Sequence, residues 1–543
     1  MVLLDAALAK TGDGLDLEDI RRCLEAVEDV QVMTVSGLGG HPEVVSASDY
    51  CGVQRLVLGL GEGEYQRSAW QAQARRVGID PLGIEVLNLG THAALAFSKT
   101  DGTARAHLLL AAAVSAASVF PGSVPENSKP CMPAQLSRRS IFTFALIEYR
   151  AVPWVREGLC RASEGCTLCV GACPWQALEV DGEWRLEKSR CRSCGLCVSA
   201  CPRDAISLPG YTHQQLAARL GTLLDKEVGE IWPRGIVFLC QRLASSLKGL
   251  THKGSGYPAE WLPVEVPCLG MVNPAWFFWG LSRGAAAVAA VCSDYPCPFG
   301  REEAVRGKVA YARELLARLG GLEDAITGLA TADGSAFKGE LRFLPVEKRR
   351  SEVPRTVRQD LVSFRSLPAP DFTTKAAAEV FLGAARELRK SPRSTVSFGV
   401  SVAHPHSPFG VVRVEREGCT ACGLCARVCP SGALMLDRKN DHLDLTFNHA
   451  LCVACGACLP VCRGSGEGVL TLARMTDMEL LARERVLLYR SPGLRCEICG
   501  TPTASKALVA RLTTLLEGHG TRATDSIGRY CPSCRVIKSI AQG

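Results

Sequence analysis

The segment CRSCGLCVSACP at residues 191–202 places four cysteines two, two and three residues apart and then ends on a proline. The same cysteine spacing recurs at residues 419–429 and 452–462, and a longer variant occupies residues 160–173. Thiolate is a soft ligand that selects zinc and iron–sulfur clusters, and this run is the signature of paired 4Fe-4S clusters. The spacing therefore predicts four 4Fe-4S clusters, held in two pairs.

A paired arrangement contains a crossover, because the cysteine after the three-residue gap ligates the cluster of the other run. The rule divides the sixteen cysteines into set 1A (Cys160, Cys166, Cys169 and Cys201), set 1B (Cys191, Cys194, Cys197 and Cys173), set 2A (Cys419, Cys422, Cys425 and Cys462) and set 2B (Cys452, Cys455, Cys458 and Cys429). Asp181-Gly182, between the runs of the first block, is a strong hairpin signal, and residues 438–441 form the equivalent polar turn of the second. Each block resembles a bacterial two-cluster ferredoxin domain.

Two departures from the common run concern individual clusters. Five residues separate Cys160 from Cys166, so this loop is longer and a three-iron cluster is conceivable at set 1A, and Arg463 replaces the proline that follows the fourth cysteine. The arginines beside ligands are Arg192, Arg203, Arg427 and Arg463. Positive charge favours a reduced, more negative cluster, so we hypothesise that these arginines raise local reduction potentials. The alternative is that they are solvated surface residues.

Three apolar runs between the two blocks each end at a cysteine. The strand-end set consists of Cys240 after residues 235–239, Cys268 after residues 264–267, Cys292 after residues 284–291, and Cys297 in the loop that follows. Helix-like stretches separate the runs, and Asn273-Pro274 is a plausible helix start. Ligands gather at the carboxyl ends of strands in an open parallel sheet, so we expect these cysteines to converge on one edge.

The same region resembles the delta-subunit family of methyl-viologen-reducing hydrogenase, through GIVFLC at residues 235–240 and VEVPCLGMVNPAWFFWGLSRGAAAVAAVCSDYPCPFG at residues 264–300. That family carries a 2Fe-2S cluster and passes electrons to heterodisulfide reductase. The resemblance implies a 2Fe-2S cluster ligated by Cys240, Cys268, Cys292 and Cys297. Leu243 stands where the family usually has a second cysteine soon after the first. Buried structural thiols are the alternative interpretation.

Residues 1–120 alternate strand-like and helix-like segments, which predicts a parallel α/β layer. The predicted strands span residues 30–35, 55–60 and 84–89, and the predicted helices span residues 64–77 and 105–120. Gly59-x-Gly61-x-Gly63 fails the dinucleotide fingerprint because residue 64 is glutamate, and it indicates a tight, acidic turn. The stretch RLVLGLGEGEYQRSAWQAQARRVGIDPLGIEVLNLGTHAALAF, residues 55–97, is similar to part of the flavin-carrying subunit of heterodisulfide reductase.

That second resemblance has two gaps. The cysteines of the reductase family do not occur at either matching place, at residues 59–61 or 88–93, and its flavin domain with the dinucleotide fingerprint is missing. The resemblance implies a protein that keeps the shape and the ferredoxin-type electron-transfer clusters of the reductase family without its flavin.

The tail carries two CxxC units, which together supply the tail set Cys496, Cys499, Cys531 and Cys534. Four thiolates complete a closed tetrahedral site, so zinc is the predicted metal and a zinc-ribbon-like fold the predicted structure. A mononuclear rubredoxin-like iron is the alternative, although Arg535 rather than glycine follows the second unit. A helix is predicted at residues 506–516, between the units. Cys23, Cys51 and Cys131 remain and are predicted to be ordinary buried thiols.

Composition restricts the class of protein. A chain of 543 residues with 47% hydrophobic residues should form several domains. Its start lacks the cationic and apolar regions of a signal peptide, and dense thiolate ligands suit a reducing cytoplasm. Residues 137–142 look like a twin-arginine signal but lie far inside the chain, and residues 107–120 are shorter than the roughly 20 needed to cross a bilayer. We therefore expect a cytoplasmic protein with no membrane span.

The formal charge of +7 counts every cysteine as neutral. A site of four thiolates carries about −2 when oxidised, so six sites would bring the holoprotein to roughly −5. No run of five or more lysines and arginines occurs. The charge therefore gives no support for nucleic acid as a partner.

The predicted architecture is multidomain, α/β and α+β, with two parallel-sheet layers, two ferredoxin-like domains and a zinc-ribbon-like tail. The predicted segments are an α/β domain at 1–120, a linker at 121–150, a ferredoxin domain at 151–212, a hydrogenase delta-subunit-like domain at 228–322, a linker with a helix at 323–404 (the helix at 373–388), a second ferredoxin domain at 405–475 and the tail at 476–543.

The sequence predicts an electron-transfer subunit of a cytoplasmic oxidoreductase complex of the heterodisulfide-reductase or hydrogenase type. It would relay single electrons between other subunits that carry the hydrogenase, dehydrogenase, flavin or heterodisulfide reductase sites, and no residue is predicted to be catalytic. One alternative is a self-contained iron–sulfur oxidoreductase whose loosely ligated cluster, at Cys160 or Cys240, binds substrate. Another is a redox-sensing scaffold.

Overall fold

The computed structural model describes residues 1–38, 45, 47–61, 67–95, 97–123, 128–131, 147–229, 231–241, 243, 260–293, 297, 302–321, 323–331, 374–389, 399–439, 441–462, 469–516 and 528–541. The chain forms two compact units. The first comprises Met1–Cys160, Thr167–Phe372 and Gly383–Val396, and the second comprises Arg161–Cys166, Thr373–Leu382 and Ser397–Gly543.

The first unit begins with a parallel four-stranded sheet in the order β2-β1-β3-β4. Its strands are β1 (Val2–Asp5), β2 (Val32–Val35), β3 (Leu56–Leu60) and β4 (Ile84–Asn88), and its helices are α1 (Leu17–Glu25), α2 (Arg67–Arg76) and α3 (Lys99–Ser118). The predicted α/β layer is confirmed. Strand β1 and helix α1 were not predicted, and the predicted start of α3 was six residues late, because Ser98 caps this helix by accepting from Asp101 N.

The segment predicted as a linker at 121–150 contains two paired strands. They are β5 (Ser128–Cys131) and β6 (Glu148–Ala151), which pair antiparallel. Gln71 of α2 is fully buried, and it donates to Tyr149 O at 2.8 Å and accepts from Tyr149 N at 2.7 Å. These bonds attach β6 to the N-terminal layer, which no local pattern in a polar, proline-containing stretch signals. The twin-arginine-like residues 137–142 lie outside the described residues.

The first cysteine-rich block is a small α+β structure. It contains β7 (Trp154–Val155), α4 (Leu168–Ala172), β8 (Leu178–Asp181), β9 (Glu183–Leu186), α5 (Leu196–Ala200), β10 (Ile206–Ser207) and α6 (His213–Leu223). Strands β8 and β9 form the predicted hairpin, with Gly182 at φ 70° in its turn. Strands β7 and β10 pair antiparallel and close the block.

A second parallel sheet follows in the order β12-β11-β13-β14. Its elements are β11 (Gly235–Cys240), β12 (Trp261–Val266), α7 (Ala275–Ser282), β13 (Ala287–Ser293), α8 (Glu302–Arg318) and β14 (Ile326–Thr331). Helix α7 starts where Asn273-Pro274 predicted, and Asn273 Oδ1 accepts from Ala275 N at 2.9 Å. Strand β14 continues the sheet beyond residue 322, the predicted end of this domain.

A buried arginine joins the two parallel layers of the first unit. The Arg105 side chain on α3 is fully buried. Its Nε donates to His92 O and its Nη2 to Trp261 O, each at 2.6 Å, and its guanidinium lies 4.8 Å from the centre of the Phe97 ring. The hydrogen bond to Trp261 O therefore links the N-terminal layer to the second sheet.

The second unit is mainly antiparallel. One sheet has the order β15-β19-β16, with β15 (Ser401–Ala403), β16 (Gly410–Val414) and β19 (Leu470–Asp477). The other has the order β17-β18-β20-β21, with β17 (Leu434–Arg438), β18 (His442–Phe447), β20 (Val486–Arg495) and β21 (Pro502–Ser505). The helices bordering these sheets are α10 (Leu424–Arg427), α11 (Met478–Leu481), α12 (Lys506–Leu516) and α13 (Pro532–Ala541). Helix α12 spans the residues predicted for it.

The β18–β20 pairing makes the tail continuous with the second cysteine-rich block. The predicted boundary at 475 and 476 falls within β19, and the buried Ser505 hydroxyl of β21 donates to Thr420 O beside Cys419. Helix α9 (Thr374–Arg389) is one residue displaced from its predicted range. Among the described residues, no helix combines the length and apolarity that a membrane span requires.

Candidate iron–sulfur and metal sites

The cysteine runs share a backbone template. The residue before the second cysteine is left-handed in all four runs, with φ of 84° at Gly165, 56° at Ser193, 49° at Ala421 and 52° at Ala454. The residue after it is left-handed in three runs, with φ of 74° at Gly195, 78° at Gly423 and 79° at Gly456. These turns curl the chain around its own cysteines, and Ser193 N donates to Cys191 Sγ at 3.4 Å. The first run departs from the template, because Thr167 has φ −121°.

The structure brings together the four cysteines of set 1B. Burial raises the pKa of Cys194, and the thiols of Cys191 and Cys173 raise it further. Burial also raises the pKa of Cys197, with added contributions from Cys194 and Cys191. Cys173 belongs to the other run and reaches this set across the block, and its Sγ accepts from Ala177 N at 3.4 Å. Cys173 therefore lies near the three cysteines of the other run, although Cys169 of set 1A also raises the pKa of Cys197, and the crossover stays a prediction from the cysteine spacing.

Sets 2A and 2B each face a cavity of their own. One cavity is lined by Cys419, Cys422, Cys425 and Cys462, and the other by Cys429, Cys452, Cys455 and Cys458. Burial raises the pKa of Cys425 to about 12, as does the charge of its neighbouring thiols. Burial likewise raises the pKa of Cys452 and of Cys458 to about 12.

These sets fit an iron–sulfur cluster. None of the 27 cysteines forms a disulfide, and four sulfurs lining one cavity match the four thiolate ligands of a cubane. Thiols with a raised pKa stay protonated until a metal displaces the proton. Donors to sulfur complete the environment, since backbone N–H groups stabilise the thiolate form and tune a bound cluster.

The members of set 1A are divided between the two compact units. Cys160, Cys169 and Cys201 belong to the first unit and Cys166 to the second. The longer loop contains a short 3-10 turn at Ala162–Glu164, and Cys201 Sγ accepts from Ala205 N at 3.3 Å. The ligation of a cluster by set 1A stays a prediction from the cysteine spacing.

The strand-end set lies at the carboxyl edge of the second parallel sheet. The register of β11 and β13 pairs Leu239 with Val291, which places Cys240 beside Cys292. A hydrogen bond with the Cys240 thiol raises the pKa of Cys292, and burial and the thiols of Cys297 and Cys268 raise it further. All four cysteines therefore meet at one place, and they fit a four-thiolate centre.

Two further contacts shape the strand-end site. Gly270 N donates to Cys268 Sγ at 3.3 Å. Glu302 Oε1, at the start of α8, accepts from Cys297 N at 2.7 Å and fixes the loop that carries this cysteine. Leu243, at the position of the family's additional cysteine, is buried. No pattern in the sequence signals the role of Glu302.

The four sulfurs of the tail set lie close together. Its four Sγ atoms all lie within 4.8 Å of one another, and Cys499 and Cys531 are 3.7 Å apart. Zn–S bonds of about 2.3 Å in a tetrahedron require sulfurs about 3.8 Å apart. Cys496 N donates to Thr501 O at 2.9 Å and Gly500 N to Cys496 O at 2.8 Å, which forms one knuckle. A backbone hydrogen bond from Cys531 lowers the pKa of Cys496 to about 6. The set fits zinc or a mononuclear iron.

Two cations that sequence reasoning missed lie beside cluster loops. Lys129 Nζ donates to Cys191 O and, at 3.0 Å, to Lys188 O, and its charge opposes the rise that burial causes in the pKa of Cys191. Arg474 Nη2 donates to Ala454 O at 3.1 Å in set 2B's first loop. Both residues are distant from the ligands in sequence, so no local spacing could reveal them.

The arginines chosen from the sequence have mixed positions. The Arg192 guanidinium lies 5.2 Å from the Trp175 ring centre, and its charge, like that of Lys129, opposes the rise that burial causes in the pKa of Cys191. Arg203 Nε donates to Leu159 O at 3.1 Å, whereas Arg427 is exposed on α10. Arg463 lies outside the described residues.

The three leftover cysteines were predicted to be buried, and this was wrong. Cys51 is exposed in a turn, and Cys23 and Cys131 are half-buried. Cys51 directly follows the 3-10 segment Ala47–Tyr50, whose Tyr50 fills the core position instead.

Three segments of the chain match models of known protein families. Residues 160–205 and residues 418–464 each match the model of the 4Fe-4S dicluster domain. Residues 236–339 match the model of the methyl-viologen-reducing hydrogenase delta subunit. These matches confirm two of the three resemblances drawn from the sequence, and two dicluster domains imply four 4Fe-4S clusters. No curated protein matches the chain.

Proposed function

We propose, from two 4Fe-4S dicluster domains and a hydrogenase delta-subunit-like segment in one chain, that the protein is an iron–sulfur electron-transfer subunit. It relays single electrons between catalytic subunits of a cytoplasmic complex of the heterodisulfide-reductase or hydrogenase type. The partner subunits carry the hydrogenase, dehydrogenase, flavin or heterodisulfide reductase sites. No residue of this chain is proposed to be catalytic.

The observation that carries this proposal is the convergence of thiols from distant parts of the chain. Sets 1B, 2A and 2B each combine three cysteines of one run with the last cysteine of the other. When bound there, iron–sulfur clusters supply one-electron redox chemistry. At least one cysteine of each set is buried, and backbone N–H groups and Lys129 place positive charge beside set 1B.

The remaining sites complete the proposal. The strand-end set holds a 2Fe-2S cluster, which the match to the hydrogenase delta subunit supports. Set 1A holds the fourth 4Fe-4S cluster. The tail set holds zinc as a structural staple, because four thiolates whose sulfurs all lie within 4.8 Å of one another can complete a tetrahedral site.

Metal analysis of anaerobically purified protein tests the proposal. We expect about 18 iron and 18 acid-labile sulfide per chain, together with about one zinc. Colourless protein without iron would refute it. Isolation from the native cytoplasm should recover redox partner subunits, whereas substrate turnover by the chain alone would favour a self-contained oxidoreductase.

A further inference from the structure

We infer that a contact between Gly195 and Met271 holds the strand-end set directly against set 1B, which makes set 1B, and not set 1A, the immediate redox neighbour of the strand-end set. The inference rests on the proposed function, because it assumes that both sets hold clusters. Gly195 follows the ligand Cys194, and Met271 lies three residues after the ligand Cys268. All four residues belong to the first compact unit.

The side chain of Met271 packs directly on the backbone of Gly195. A Cβ atom at Gly195 would lie 2.8 Å from Met271 Sδ and 3.0 Å from Met271 Cε. Gly195 also has φ 74°, a conformation that glycine adopts at no steric cost. The closeness of the loops therefore depends on the absence of a side chain at residue 195.

Polar contacts hold the turn Leu269–Met271 from two sides. Ser199 Oγ, on α5 of the ferredoxin block, lies 3.4 Å from Gly270 O. Lys308 Nζ, on α8, donates to Gly270 O at 2.6 Å and to Val272 O at 3.1 Å. Lys308 is thus a positioning residue that fixes the turn following Cys268.

The equivalent positions in the second block make no such contact. Gly456 has φ 79°, and a Cβ atom there would meet nothing within 4 Å. A Cβ atom at Gly423 would meet only Leu436 of the block's own hairpin. Gly456 is therefore a matched control for Gly195, since substitution creates the same backbone strain at both positions and a clash only at Gly195.

Electron paramagnetic resonance of the reduced holoprotein tests the inference. In the wild type, the 2Fe-2S signal should relax faster once the cluster at set 1B is reduced. Gly195→Ala should displace Met271 and weaken this enhancement when relaxation is compared in protein in which both clusters are bound, and Gly456→Ala should not weaken it. Gly195→Ala combined with Met271→Ala should restore part of it. Lys308→Met, which adds no bulk, provides a second variant that should weaken it.

Three results would overturn the inference. The first is a 2Fe-2S signal whose relaxation rate does not depend on the redox state of the cluster at set 1B. The second is a relaxation enhancement that changes equally in Gly195→Ala and Gly456→Ala. The third is an enhancement abolished by Cys201→Ser in set 1A but retained in Cys194→Ser. Iron-replete protein without any 2Fe-2S signal would refute the proposed strand-end cluster and, with it, this inference. The three results above, in contrast, refute the inference while the proposed clusters stand.

Discussion

Exchange of a single crossover cysteine should disturb the cluster of the opposite run. Cys429 follows Cys425 in sequence, yet it lines the cavity of Cys452, Cys455 and Cys458. Serine is a poor substitute for a soft thiolate ligand. We therefore expect Cys429→Ser to remove about four of roughly 18 irons per chain, or about one if a three-iron cluster persists, and to take them from set 2B.

The size of this loss follows from the burial of the remaining thiols. Burial raises the pKa of Cys452 to about 12. Ionising such a thiol at pH 7 costs on the order of 7 kcal/mol, at about 1.4 kcal/mol per pKa unit, and metal–sulfur bonding must offset it. Burial also raises the pKa of Cys458 to about 12, so a set that loses one strong ligand retains this cost at Cys452 and Cys458, which favours complete loss of the cluster.

Paired substitutions give the decisive assay. Cys429→Ser with Cys455→Ser changes one set twice, so iron and sulfide should fall no further than in either single variant. Cys429→Ser with Cys422→Ser changes two sets, so about eight irons should be lost. The crossover is refuted if the second pair, whose cysteines share a run, behaves as one set while the first pair is additive.

Three further predictions concern charge and metal. Lys129→Met should lower the midpoint potential of the cluster at set 1B by tens of millivolts, on the order of 1 kcal/mol per electron, because a cation beside Cys191 is lost. Lys188→Met is the control. Equal midpoint potentials of wild type and Lys129→Met in a redox titration would contradict this prediction. Hydrogen bonds from Arg490, at 2.6 and 2.8 Å, lower the pKa of Asp444 to about 2. The native pKa is thus below that of the unfolded chain, so wild-type stability is present above about pH 4 and declines as the pH falls towards 2. Asp444→Asn should remove about 1 kcal/mol after allowance for screening of the half-exposed Arg490 and should flatten this decline in acid unfolding curves; an unchanged slope would count against it. Cys496→Ser should release about one zinc and leave the iron content unaltered, whereas parallel iron loss would show that the tail holds iron.

The repeated cysteine spacing made most of the candidate sites predictable. Spacing of two and three residues is a local property, and the crossover from Cys173 or Cys429 follows from a general rule of paired clusters. The strand ends at Cys240 and Cys292 were equally predictable from the sequence, because buried parallel strands are continuous apolar runs. The parallel layers followed from the alternation of strand and helix patterns.

Contacts between distant segments could not be predicted. Strand β5 depends on pairing with β6 across an intervening stretch, and Lys129 reaches the loop of Cys191 only because that pairing holds it there. Glu302 and Arg474 likewise act through tertiary position. Cys51 was misjudged because the burial of an isolated cysteine is decided by its neighbours in space, which no spacing rule describes.

The buried Arg105 has a mechanical consequence for the first unit. Separating the two sheets it connects would break the hydrogen bond from the buried Arg105 guanidinium to Trp261 O, and losing a hydrogen bond of a buried charged group is unfavourable. We therefore expect the two sheets of the first unit to move together when other proteins dock. The distances for electron transfer within this unit should then stay constant, and regulation should act at its surface.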